Sequence, residues 1–153
     1  MSKISPMLWF DGQAEEAAKF YVSVFRNSKV KQTVLYGDTG PGKKGSVMTV
    51  AFELDGREFL ALNAGPKFKF NHAISLMVNC ETQKELDEMW EKLSAGGATE
   101  VCGWLQDKYG LSWQIVPAIL QELMKDPAKS DKVMREVVKM TKLDIATMQK
   151  AAA

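Results

Sequence analysis

The chain has 153 residues, of which 46% are hydrophobic and 25% are charged, as in an ordinary globular protein. Its 20 basic and 19 acidic residues leave a net charge of +1, so no basic field is present to hold nucleic acid. No stretch approaches the roughly 20 apolar residues of a membrane span, and the first residues lack a signal-peptide pattern. The two cysteines form no CxxC pair. These features predict a cytoplasmic protein without nucleic-acid or membrane partners.

The first part of the chain predicts the order strand, helix and three strands. Residues 4–10 predict a short strand, and the apolar stripe that follows predicts a helix with Asp11 as its N-cap. Residues 30–37 alternate in the way that a strand does. The Asp55-Gly56 pair between two β-rich runs predicts a hairpin, which supplies the remaining two strands.

The same order of elements then returns. Residues 72–80 predict a strand, and residues 82–97 predict a helix that begins with a Thr82 and Glu85 capping box and stops at a Gly-Gly pair. The runs ATEVCGWLQ and LSWQIV predict the last strands. The repeat lies in the order of elements and in the apolar pattern, because the residue identities differ between the two copies.

The end of the chain predicts a helical tail of two or three short helices. Pro117 is expected at the start of the first helix, which stops before Pro127, while Ser130 and Thr141 are expected to cap the later helices. We therefore expect a single domain, 1–153, with a first module at 1–68, a second module at 69–117 and the tail at 118–153.

The stretch CGWLQDKYGLSWQIVP predicts a second hairpin with two different faces. A three-residue loop with Gly110 in the left-handed conformation places Asp107 opposite Leu111 and makes Trp104 and Gln114 cross-strand neighbours. One face is apolar and is expected to pack under a helix. The other mixes aromatic and polar groups as a small-molecule pocket does, although half-exposed packing would give the same pattern. This second face carries Cys102, Trp104, Gln106, Ser112, Gln114 and Val116.

The chain resembles the PhnB-like branch of the vicinal oxygen chelate superfamily, which includes glyoxalase I, bleomycin-resistance proteins and extradiol dioxygenases. The resemblance lies in LWFDGQAEEAAKFYVSVF, GREFLALNAGP, FNHAISLMVNCETQKELDEMWEKLSAGG and CGWLQDKYGLSWQIVP, and the tail VMREVVKMTKLDIATMQKA fits it too. The branch is also labelled the 3-demethylubiquinone-9 3-methyltransferase domain. The resemblance covers nearly the whole chain. It implies an α+β fold in which tandem βαβββ modules form curved sheets around a cleft, usually in a homodimer.

The resemblance also implies a divalent metal held by His and Glu side chains from four strands, and the sequence lacks that ligand set. The first predicted strand has no His, Asp or Glu, and the fourth offers only Asn63. Gln114 stands where the family pattern commonly has Glu, and an amide oxygen is a poor ligand for zinc or nickel. His72 falls in the helix-facing phase of its strand, one residue from the ligand position. We therefore expect no tightly bound metal.

Two other chemistries find little support in the sequence. Binding of S-adenosylmethionine normally uses a Gly-rich turn between a strand and a helix, and neither DTGPGKKG nor SAGGATE lies at such a turn. We therefore expect no S-adenosylmethionine cofactor. A thiol nucleophile at Cys102 would need a base within hydrogen-bond reach, and His72 is expected to point elsewhere.

These observations favour a protein that binds or modifies a small molecule in an apolar cleft, and whether it catalyses a reaction is left open. Trp104 would stack on the ligand, while Gln114 and Asn63 would orient a polar group. The expected cleft residues are Trp104, Gln114, Cys102, Gln106, Ser112 and Asn63. Three alternatives stay open: a metal-dependent enzyme of the glyoxalase or dioxygenase type, the methyltransferase of the family label, and a ligand-sequestering resistance protein.

Overall fold

The computed structural model describes residues 2–153, which form two compact units, the first ending at Phe70 and the second spanning Asn71–Ala153. The first unit contains β1 (Met7–Phe10), α1 (Ala14–Val24), β2 (Lys29–Leu35), β3 (Val47–Leu54) and β4 (Arg57–Asn63). The second contains β5 (Ser75–Cys80), α2 (Gln83–Ser94), β6 (Ala98–Thr99), β7 (Trp104–Gln106), β8 (Ser112–Pro117), α3 (Ala118–Met124), α4 (Pro127–Val137) and α5 (Ile145–Ala152). The predicted α+β fold, with two βαβββ modules and a helical tail, is confirmed.

Each unit has one four-stranded sheet, and the two sheets share one topology. The strand order is β1-β4-β3-β2 in the first and β5-β8-β7-β6 in the second. In each sheet the strand before the helix pairs in parallel with the last strand of its module, and the other pairs are antiparallel. The repeat that the sequence predicts is therefore a repeat of topology.

The core of the first unit lies between α1 and one side of its sheet. Tyr21 of α1 is fully buried and stacks on Phe52 of β3 with the ring centroids 6.3 Å apart, and Phe52 stacks on Phe59 of β4 at 5.5 Å. Burying each of these large side chains contributes about 2 kcal/mol to stability. The small residues Ala14, Ala17 and Ala18 let the helix approach the sheet closely.

The start of α1 differs from the prediction. Asp11 is not the N-cap, because the helix begins at Ala14 and the capping position is Gln13, whose side chain makes no capping hydrogen bond. The Ala14 amide instead donates to Oδ1 of Asn63 at 2.9 Å. This cap comes from the end of β4, 49 residues away, so no local pattern could reveal it.

Both predicted hairpins are confirmed. Asp55 and Gly56 have φ values of 48° and 75°, and this positive pair forms a two-residue turn of the kind that suits a hairpin. Gly110 has φ +85°, and β7 and β8 pair Trp104 with Gln114, Leu105 with Trp113 and Gln106 with Ser112. The register predicted from the turn is therefore the observed one.

The tail forms three helices, and two of its predicted caps are wrong. Pro127 begins α4 with Asp126 as the N-cap, whose side chain accepts the Ala128 amide, so Ser130 is inside the helix and not its cap. The last helix begins after Asp144 and not after Thr141. Among residues 2–153, no helix combines the length and apolar character that a bilayer crossing requires.

Candidate functional site

The face that the sequence predicts as a ligand surface lies on the second sheet. Helix α2 packs against β7 and β8, and the residues on its side of β8, Trp113 and Ile115, are almost fully buried. Alternation along the strands places the neighbouring side chains on the opposite side. We call this side the Trp104 face, defined by Trp104, Gln106, Ser112 and Gln114.

Gln114 is at the centre of the Trp104 face, because β8 lies between β5 and β7. Its Nε2 donates to the hydroxyl of Ser75 on β5 at 3.0 Å, and within residues 2–153 its Oε1 accepts no hydrogen bond. The next residue on this face of β5 is Met77, which pairs with Gln114 and is 51% exposed. One end of the amide is therefore fixed by the fold, and the other is free to accept a hydrogen bond.

Ser112 is the clearest unsatisfied polar group of the Trp104 face. Its side chain is fully buried, and its Oγ has no hydrogen-bond partner among the described residues. A buried hydroxyl without a partner costs about 1–3 kcal/mol, so a buried water that bonds to it would be favoured. Ser112 pairs with Ser75 on one side and with Gln106 on the other.

His72 borders the Trp104 face, contrary to the prediction. The strand begins at Ser75 and not at residue 72, so strand alternation does not determine where His72 points. Its Nε2 lies 2.7 Å from Oε2 of Glu100 and 3.0 Å from Nε2 of Gln106. Its ring centroid is 6.3 Å from that of Trp104. An imidazole that is paired with a carboxylate therefore lies beside the predicted stacking residue.

Cys102 is in a turn and not in a strand, because β7 begins at Trp104. Its φ is 60°, a left-handed conformation that is uncommon for a residue other than glycine. Its side chain is half-buried. The alternation that assigned Cys102 to the ligand face does not extend to this turn, so that assignment stays a prediction.

Asn63, the sixth predicted cleft residue, lies in the first unit and has a structural role. It is on the same side of β4 as the buried residues Phe59 and Ala61. Its Oδ1 accepts from the Ala14 amide at 2.9 Å, and its Nδ2 donates to the carbonyl of Val47 at 3.1 Å. Both ends of the amide are engaged in the fold, and a role toward a ligand stays a prediction.

A cavity of about 560 Å³ at the start of α1 was not predicted from the sequence. Its lining includes Asp11, Glu15, Glu16 and Tyr36, so its rim is acidic. The Tyr36 hydroxyl donates to the backbone carbonyl of Asn63. The loop after β2 folds back to form this cavity, and its Gly, Pro and Lys composition does not indicate where it lies.

The role of Asp107 was not predicted from the sequence either. It is 2% exposed, and its Oδ1 accepts the amides of Tyr109 and Leu111 at 2.8 and 3.1 Å. Its Oδ2 accepts the indole N–H of Trp113 at 2.8 Å. An Asp at the start of a tight turn commonly bonds to backbone amides two residues on, so the turn pattern carried a usable signal.

The described residues do not supply the metal site that the superfamily implies. Among residues 2–153, no group of three or more His, Cys, Asp and Glu side chains is arranged to hold a metal ion. His72 and Glu100 could each supply a metal ligand, but their side chains already bond to each other. Nε2 of Gln114 bonds to Ser75. These groups do not fit a four-ligand site of imidazoles and carboxylates.

Residues 2–116 match the family described as 3-demethylubiquinone-9 3-methyltransferase. A PhnB protein from Bacillus cereus is 40% identical, with a TM-score of 0.70, over 76% of this chain and 100% of that one. Protein PA1353 from Pseudomonas aeruginosa is 18% identical, with a TM-score of 0.63, over 76% and 96%. The fosfomycin resistance protein FosX from Listeria monocytogenes is 14% identical, with a TM-score of 0.60, over 82% and 98%. The last two likenesses concern the fold alone. No curated protein matches the chain.

Proposed function

Because the chain belongs to the 3-demethylubiquinone-9 3-methyltransferase family, the PhnB-like branch of the vicinal oxygen chelate superfamily, we propose that it binds a small molecule on the Trp104 face. The observation that carries the proposal is the free amide oxygen of Gln114 beside Trp104, its cross-strand neighbour on β7. An aromatic side chain beside polar groups that can bond to a ligand is a feature of small-molecule sites.

Each residue has a definite role in this proposal. The half-buried indole of Trp104 stacks on an unsaturated or flat part of the ligand. Oε1 of Gln114 accepts a hydrogen bond from the ligand. Ser112 makes no contact with the ligand in this proposal, because its hydroxyl is fully buried. Gln114 stands where the family commonly has a Glu, and its amide is uncharged. It therefore orients a polar group of the ligand and does not hold a cation. We leave Asn63 out of this site because its amide is already used to cap α1.

The test starts with a ligand identified by screening a small-molecule library with tryptophan fluorescence. Calorimetry with this ligand then compares Trp104→Ala with Trp90→Ala, a half-buried tryptophan on α2. Loss of the stacking partner is expected to weaken binding about tenfold in Trp104→Ala, with the fold intact by circular dichroism. Trp90→Ala is expected to keep the wild-type affinity. Unchanged affinity in Trp104→Ala would show that the ligand binds elsewhere.

We further propose that the protein works without a tightly bound metal and without S-adenosylmethionine. The donor set around Gln114 and His72 supports the first part, since it does not match the superfamily's ligands. Elemental analysis of untagged protein prepared without chelator is expected to find well under one divalent metal per chain. A value near one would instead favour a glyoxalase-type or dioxygenase-type enzyme. Saturable binding of S-adenosylmethionine in calorimetry would favour the methyltransferase of the family label.

We also propose that the protein is a homodimer, as the family resemblance implies. Sedimentation equilibrium is expected to give about twice the 17.0 kDa mass of one chain. A monomer mass would contradict this proposal and would leave the Trp104 face proposal unchanged.

A sequestering protein and an enzyme are distinguished by following the ligand over time, because only an enzyme converts it.

A further inference from the structure

The C-terminal tail bonds to the backbone that leads into Trp104. The amide of Cys102 donates to the carbonyl of Met140, and the amide of Gly103 donates to the carbonyl of Thr141, both at 2.9 Å. These two donors belong to the turn directly before β7. The tail therefore holds the main chain next to the proposed stacking residue.

Leu143 fills the space beside Gly103. This glycine has φ +82°, and a Cβ there would lie 2.8 Å from the carbonyl oxygen of Ile115 and 3.0 Å from Cδ1 of Leu143. The Leu143 side chain is fully buried. Leu143 therefore occupies the space that a side chain at position 103 would need, so the tail packs against this turn and the two are expected to move together.

Gln83 of α2 bonds to the tail on both sides of Asp144. Its Nε2 donates to the carbonyl of Leu143 at 3.1 Å, and its Oε1 accepts the amide of Ile145 at 2.8 Å. One side chain at the start of α2 thus bonds to main-chain groups on both sides of Asp144. A nearby ion pair joins Lys142 of the tail to Asp87 of α2 at 2.9 Å.

The turn before β7 needs such support. Cys102 has φ +60°, a conformation that residues with a Cβ rarely adopt without other constraints. Its amide hydrogen bond goes to Met140, so the tail supplies one of the constraints. The family match ends at residue 116, before the tail begins.

We infer that the C-terminal tail is a positioning element for Trp104, with Gln83 and Leu143 as its positioning residues. Gln83 holds the tail backbone around Leu143, and the tail holds the turn from which Trp104 projects. The importance of this arrangement for ligand binding rests on the proposed function. The positioning itself concerns only the free protein, so it is tested without a ligand.

The experiment uses protein labelled with 5-fluorotryptophan, in which Trp104→Phe assigns one of the four fluorine resonances to Trp104. In Gln83→Ala, this resonance is expected to shift or broaden, while that of Trp9 in the first unit stays as in wild type. Native-state hydrogen exchange is expected to be about tenfold faster at the Cys102 and Gly103 amides, because the tail loses two backbone anchors. Leu143→Ala is expected to have the same local effect.

Gln121→Ala is the matched control in the same unit. Gln121 is on α3, where its side chain bonds to Asn79 at 3.0 Å, so this variant also loses one glutamine side chain and its hydrogen bond. It is expected to leave the Trp104 resonance and both amides unchanged. The inference is overturned if Gln83→Ala and Leu143→Ala also leave them unchanged. It is equally overturned if exchange rises uniformly across the second unit, because the tail would then stabilise that unit as a whole.

Discussion

At the residue scale, the hairpin that carries Trp104 and Gln114 is held at its turn by the Asp107 carboxylate. This buried group accepts two backbone amides and one indole N–H. Trp113, the donor of that indole bond, packs on the α2 side, so Asp107 connects the turn to the core of the second unit. A buried carboxyl group that accepts three hydrogen bonds stabilises its turn more than an exposed carboxyl group does.

Replacing Asp107 by Ala is therefore expected to be strongly destabilising. The change leaves three donors without their acceptor, which costs about 3 kcal/mol in the free energy of unfolding. Urea denaturation of Asp107→Ala measures this loss. Asp131→Ala is the control, because Asp131 is exposed on α4, where it pairs with the exposed Arg135. Its effect is expected to stay within about 0.5 kcal/mol, and equal effects of the two variants would refute the role of Asp107.

The two cysteines are expected to differ in reactivity. Burial, followed by the charges of Glu85 and Glu81, raises the pKa of the Cys80 thiol to about 12. Because the thiolate is the reactive form, native Cys80 is expected to resist iodoacetamide at pH 8, whereas the half-buried Cys102 is labelled. Mass spectrometry is expected to find one label on the native protein and two after denaturation. A label on native Cys80 would contradict this expectation.

At the element scale, the turn before β7 limits which residue can occupy position 103. Gly103→Ala places a methyl group against the Ile115 carbonyl and Leu143 and forces a positive φ on a residue with a Cβ. A loss of about 3 kcal/mol in unfolding free energy is expected, from both strain and overpacking. Gly110→Ala is the matched control, since Gly110 has φ +85° but nothing within 4 Å of a new Cβ. It is expected to cost about 1 kcal/mol, and equal costs would exclude close packing as the cause.

Local patterns predicted the hairpins well, and they failed where a distant group determines the outcome. Asp55-Gly56 and Gly110 adopt the positive φ values that their turns require, so strand pairing followed from a few residues. The cap of α1 comes from Asn63, on a strand far along the chain, so the residues near Asp11 could not predict it. The tail caps were predicted wrongly because two suitable capping residues lie within a few positions of each other. Asp126 caps α4 in place of Ser130, and Asp144 caps α5 in place of Thr141.

The candidate site, like the fold, was predicted from the sequence only in part. Strand alternation and the turn identified the Trp104 and Gln114 pair, which the register confirms. The position of His72 depends on where β5 begins, and strand ends are not sharply encoded in an apolar pattern. The unpartnered state of Ser112 depends on the whole packing of the second unit, so only coordinates reveal it.

At the scale of the whole molecule, the two sheets repeat in topology but differ in the chemistry of the parallel pair on the side away from the helix. In the second sheet, the parallel pair places Gln114 opposite Met77. In the first sheet, the pair β1 and β4 places Leu62 opposite Trp9. One copy of the repeat therefore has an apolar pair where the other has an amide. This difference explains why we propose the ligand site for the second unit.

One carboxyl group of the first unit, Glu58, is expected to contribute to the loss of stability in acid. A hydrogen bond from Lys31, followed by one from the Ser2 amide, lowers the pKa of the Glu58 carboxyl to about 2. Because this folded-state pKa is below the ordinary value of 4.5, the stabilisation is complete above pH 4.5 and is lost as the pH falls toward 2. Urea midpoints of the wild type at pH 7 and pH 3 are expected to differ more than those of Glu58→Gln.

Glu122→Gln provides the control for this acid effect. Glu122 is on α3 and pairs with Lys125 in an exposed salt bridge, which solvent screens strongly. The variant is expected to keep the wild-type dependence of the urea midpoint on pH. If Glu58→Gln and Glu122→Gln behave alike, the Lys31 and Glu58 pair does not contribute to stability at neutral pH.

The hydrogen bonds between the tail and the turn before β7 also determine the order in which the newly made chain can become complete. The first unit has all its strands once Asn63 has left the ribosome, so it can fold while translation continues. The second unit differs, because the amides of Cys102 and Gly103 have no hydrogen-bond acceptors until Met140 and Thr141 have been synthesised. The Gln83 side chain at the start of α2 likewise lacks the Ile145 amide, its hydrogen-bond donor, until the last helix is synthesised. A nascent chain that stalls between the second sheet and residue 140 would thus present a finished first half and an unfinished second half to chaperones and proteases.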